Sequence, residues 1–166
     1  MEKTLGSGSI GAANVAYDAF LLAGYGGSAV ALFFLLADAL NGQPFFTPSV
    51  MGSVLFEGAT AENVVEVSMQ MVAYYTIVHF GMFGLLGLAI AFLFHEVELH
   101  SRHPVLILLV LFLIFELGFA LAAALLLPGV IATLGPLRVG VANGLAAATM
   151  AFCLLISHRG RSSDSA

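Results

Sequence analysis

Charge is scarce in this chain. Of its 166 residues five are Lys or Arg and ten are Asp or Glu, 9% in all, against about 25% in soluble domains. So few ionic groups cannot clothe a water-soluble surface. A soluble enzyme, a secreted scaffold and a solvated disordered chain are excluded on that ground. There is no basic run, and the formal net charge is −5, so nucleic acid is not a partner. Cys153 is the only cysteine, which rules out an internal disulfide and leaves the redox compartment unread. No nucleophile elbow, phosphate loop, paired catalytic carboxylates or zinc fingerprint occurs, so the chain is not expected to be an enzyme. Met1-Glu2-Lys3 is not strongly basic and the first long apolar run begins near Ala19, so no cleavable signal peptide is expected.

What the chain has in excess is apolar. Hydrophobic residues make up 60%, against about 45–50% in soluble domains, and the mean hydropathy is +1.03. The length suits one domain. These values predict an all-α, polytopic integral membrane protein: a four-transmembrane-helix bundle with the lipid bilayer as its solvent. A bilayer core needs about 20 apolar residues as helix. The expected spans are 17–40, 66–94, 104–127 and 138–157. The first contains 19 uncharged residues from Ala19 to Ala37, and His79 is the one ionisable group inside the second. The runs are continuous, which excludes alternating barrel strands.

Lys3, Arg102, Arg159 and Arg161 fall on one side of this topology and Arg138 on the other. The positive-inside rule then places both termini in the cytoplasm of a cell with an inner membrane. In the first outer loop, Thr47-Pro48 reads as a helix N-cap followed by a first-turn proline. A short interfacial helix over 48–57 is expected, ended by Gly58. Thr60 reads as the cap of a second long helix running from Ala61 to Phe94. Asp18 and Asp38 bracket the first span, and Asp38 with Gly42 and Pro44 could line an outward vestibule. The small polar stretch 160–166 reads as disordered. No internal repeat supports an inverted-repeat transporter.

Small residues recur at close spacing, notably Gly27 in the first span, Gly84 in the second, and Gly140 and Gly144 in the fourth. They are expected to pack helices closely, within the chain or against a homo-oligomer or other membrane subunits. Three helices also place a strong polar group at nearly one depth. Counted from the cytoplasmic ends, His79, Glu116 and Asn143 lie about 22, 18 and 21 Å in. Tyr75 and Thr76 lie one turn from His79. A carboxylate at that depth costs about 2.5–3.5 kcal/mol to insert, so Glu116 is expected to face inward and pair, with His79 as the partner closest in depth. The layer reads as a register-fixing clamp, a proton or ion path, or a ligand contact.

The second loop gathers His95, Glu98, His100 and His103, residue types that bind transition metals, although the spacing matches no zinc motif. A solvated turn is the plainer reading. The sequence assigns no cofactor. Its first functional expectation is a non-enzymatic accessory or assembly subunit of a larger membrane complex. The alternatives are a small proton- or ion-coupled transporter using the His/Glu/Asn layer, and a haem- or quinone-binding subunit. Bis-histidine haem would need a second buried histidine that this chain lacks.

Overall fold

The computed structural model describes residues 5–96, 104–127 and 129–163, with side chains over 14–92, 106, 109–127 and 129–156. Six α-helices follow in order: α1 (Leu5–Leu40), α2 (Phe46–Glu57), α3 (Met69–Glu96), α4 (Pro104–Leu126), α5 (Val130–Leu134) and α6 (Pro136–Ser163), with a 3₁₀ turn at Ala61–Asn63. Among the described residues there is no strand. Four helices, α1, α3, α4 and α6, are long and apolar enough to cross a membrane. Their outward faces are apolar too. Leu117, Leu121 and Leu125 stand 68%, 62% and 72% exposed along one side of α4. A surface of that kind suits lipid and not water.

The long helices alternate in direction. Ala19 of α1, Ile90 of α3, Leu111 of α4 and Leu154 of α6 meet in one buried cluster, while Phe34, Tyr75, Ala123 and Val139 of the same four helices belong to another. α1 packs against α3 and α6, and α4 packs chiefly on α6. A second cluster joins Val50, Met51 and Val54 of α2 to Ala123, Val130 and Val139 at the opposite end. α2 and α5 therefore sit over one end of the four long helices.

Two local readings differ from the sequence expectation. First, the helix expected to start at Ala61 starts at Met69. The β-branched run Val64-Val65-Glu66-Val67 weakens helix. Ser68 then caps α3: the Met71 and Val72 amides donate to its Oγ and carbonyl. Second, Thr47 is not the N-cap of α2. Phe45 holds that place at φ 68°, a left-handed conformation, and makes no side-chain cap. The cap arrives from α1: the Thr47 amide donates to Asp38 Oδ2 at 2.6 Å and its hydroxyl to Oδ1 at 2.8 Å. A carboxylate at a helix N-terminus also answers its dipole. α2 is mostly buried, from Ser49 to Val54, instead of exposing one wet face along its length. It lies hard against α3, where a β-carbon on Gly52 would overlap the Met71 carbonyl. At its far end Gly58 adopts φ 66° and its amide bonds the Ser53 carbonyl, closing the helix. At the chain's end α6 continues through Ser163, into the stretch read as a tail.

Candidate functional site

α3 sets Tyr75, His79 and Phe83 on one face at four-residue spacing. Their rings form a column, with centroids 5.8 Å apart from Tyr75 to His79 and 4.8 Å from His79 to Phe83. Phe83 then stacks on Phe115 of α4 at 5.5 Å. His79 Nε2 lies 3.0 Å from the Gly27 carbonyl. A carbonyl only accepts, so Nε2 carries the proton and, in the neutral ring, Nδ1 is left as the acceptor. The Tyr75 hydroxyl makes no hydrogen bond among the described residues.

Glu116 has a different partner from the one its depth suggests. The Asn143 amide donates to its Oε2 at 3.1 Å. Gly140 makes room for this: a β-carbon there would lie 3.0 Å from Glu116 Oε1. The expected layer is therefore two separate arrangements, Glu116 with Asn143 between α4 and α6, and His79 with Gly27 between α3 and α1. His79 and Glu116 do not pair because each turns to its own neighbouring helix. Thr76 is exposed and returns its hydroxyl to the Val72 carbonyl at 2.7 Å.

Of the remaining glycines named from sequence, Gly27 faces Phe80 and Phe83, and Gly144 faces Phe112. Gly84 faces open space, with nothing within 4 Å of a β-carbon built there. The tight α1–α3 crossing falls at Gly87, another of the small residues of this span. Glu98, His100 and His103 lie outside the described residues, and His95 lies in α3 outside the described side chains. Among the described residues no three metal-binding side chains cluster.

The space between α3 and α4 holds a cavity of about 700 Å³. Its walls are overwhelmingly apolar and include Phe34, Phe83, Phe115 and Phe119, while α2 contributes Met51 and Leu55 at one end. Tyr75, Thr76, His79 and Asn143 line it as well; Glu116 does not. No protein-family model, curated protein or solved structure matches the chain.

A smaller space of about 280 Å³ adjoins it at the α1–α2 end. Asp38, Asn41, Gln43, Thr133 and Arg138 line this polar pocket, and Thr47 and Leu134 line both spaces. The sequence suggested a vestibule at Asp38 but did not reveal that Arg138 faces it from 100 positions away.

Haem fits the donor set poorly. The Nε2 of His79 is engaged by Gly27, and no second described histidine side chain lines the cavity.

Proposed function

We propose that this chain is a multi-pass membrane protein that holds one chain-bearing lipid molecule, taken from the bilayer into the cavity between α3 and α4. The observation that supports this reading is the cavity: about 700 Å³, apolar-walled, between two helices that each pack mainly elsewhere. Ligand sites are concave and mostly apolar, with a few converging polar groups. Here the polar side chains on the walls include Tyr75, Thr76, His79 and Asn143. We read the role as binding and not catalysis, in a cell inner membrane with both termini cytoplasmic on the Lys/Arg bias. A proton path is less favoured, because His79 and Glu116 are bonded to different neighbours.

Native mass spectrometry of protein extracted in mild detergent tests this. One lipid should remain per chain. Gly118→Trp should expel it, since Gly118 lines the cavity and faces open space. Equal lipid retention by both proteins would overturn the reading. The narrower reading as an accessory subunit stands on sequence alone, and copurification from native membranes tests it: a partner chain at constant ratio supports it, and a bare monomer counts against it.

A further inference from the structure

We infer that the lipid is a zwitterionic phospholipid with a primary ammonium, its headgroup seated in the polar pocket of Asp38 and Arg138. This rests on the cavity reading and adds to it the class of the occupant. Three observations converge. The polar pocket and the apolar cavity share Thr47 and Leu134 in their walls, so they are immediate neighbours, one side chain apart, at a spacing that suits a headgroup in one and acyl chains in the other. The pocket lies at the proper level for a headgroup: Asp38 is two residues from the end of α1, and Arg138 is in the first turn of α6. Both helices are membrane-spanning candidates that end there.

The pocket's chemistry is divided. Arg138 presents a guanidinium, the donor type that suits a phosphodiester. The Gln43 side-chain carboxamide, which makes no hydrogen bond among the described residues, supplies further N–H groups. Acceptors face the same space. Asp38 takes one bond on each oxygen from Thr47 and keeps lone pairs to spare. Asn41 spends its amide nitrogen on the Ala37 carbonyl at 2.8 Å, leaving its oxygen as an acceptor. One cation and one carboxylate that form no ion pair with each other match a headgroup carrying both signs. An anionic headgroup would meet Asp38 uncompensated. A quaternary ammonium would offer Asp38 and Asn41 no N–H.

The test is lipid retention measured by native mass spectrometry, with phosphatidylethanolamine, phosphatidylglycerol, phosphatidylcholine, diacylglycerol and ubiquinone added separately to delipidated protein. Phosphatidylethanolamine should be retained best. Arg138→Gln should weaken it about tenfold, the worth of a charge-assisted hydrogen bond, while leaving diacylglycerol unchanged. Gln43→Leu, in an exposed turn, should act in the same direction by a smaller factor. Gly118→Trp should weaken every chain-bearing compound alike. If diacylglycerol or ubiquinone binds as tightly as phosphatidylethanolamine and Gly118→Trp still expels it, the headgroup assignment falls and the cavity reading survives. If Gly118→Trp changes nothing, the cavity reading falls first. Binding of free phosphoethanolamine to the delipidated protein, undiminished in Gly118→Trp and blocking no lipid, would overturn the lipid assignment in favour of a soluble ligand.

Discussion

Replacing Gly87 by Ala should loosen the α1–α3 pair more than the same change at any other glycine of α1 or α3 whose surroundings are described. A β-carbon at Gly87 would stand 2.6 Å from the Ala19 carbonyl oxygen and 3.1 Å from the Ala23 nitrogen. Ordinary contact starts at 3.4 Å, so the helices must part by about 0.8 Å at that point. Both obstacles are backbone and cannot rotate away. Overpacking costs about 1–3 kcal/mol, and the rigid obstacles place this case in the upper half. Removing a helix-interior glycine returns about 1 kcal/mol. The net loss is about 1–2 kcal/mol. Two controls isolate the cause. Gly84→Ala meets nothing within 4 Å and should be neutral or stabilise by up to about 1 kcal/mol. Gly26→Ala would meet the Met150 methyl at 2.5 Å, but that is the end of a flexible side chain, so the loss should stay under about 1 kcal/mol. Unfolding midpoints in mild detergent, by heat and by SDS titration, give the order. A Gly87→Ala protein as stable as Gly84→Ala would refute the packing argument.

Thr47→Val should destabilise by about 1–3 kcal/mol, since it leaves the buried Asp38 one donor short, whereas Thr47→Ser should restore most of the loss; thermal melts decide. Glu116→Leu and Asn143→Leu should each cost more than the two together, because either alone strands a polar partner; additive losses in the double variant would show the bond contributes nothing. Glu116→Leu and His79→Leu should add, as the two side chains have different partners, and a strong non-additivity would mean that they interact. Gly140→Ala should displace the Glu116 carboxylate and lower the melting temperature, an effect that Glu116→Leu should abolish.

The four long helices were legible because unbroken apolar runs bounded by charge or proline have few other uses. Helix starts were harder. Thr60 offered a cap to Ala61, but Ser68 supplied a better one past a run of valines, and only the bond from the Met71 amide exposes the choice. Depth along a helix can be counted from sequence, and His79, Glu116 and Asn143 could be set at similar levels by counting alone. Azimuth cannot be counted in the same way on helices apolar all round. The rotation of α3 that turns His79 toward Gly27 carries no periodic signal, and neither does the room for Glu116 at Gly140. The polar pocket was hidden for another reason: Asp38 and Arg138 lie 100 positions apart, and only the alternating direction of the long helices brings the start of α6 beside the end of α1. Among the small residues Gly81, Gly84 and Gly87 of the second span, spacing could not say which marks the crossing: Gly81 and Gly84 face open space and Gly87 meets α1.

That α4 rests chiefly on α6 has a consequence for how the protein is made. Synthesis delivers α1 and α3 first, and these two can dock at once through Gly87. α4 emerges next with its main neighbour still unsynthesised, and Glu116 has no Asn143 to meet. It must wait in the lipid or the insertion machinery until the last helix arrives. A chain stopped before Pro136 should therefore hold α1 and α3 together and leave α4 unseated, so that the space between α3 and α4 is the last part of the molecule to be built.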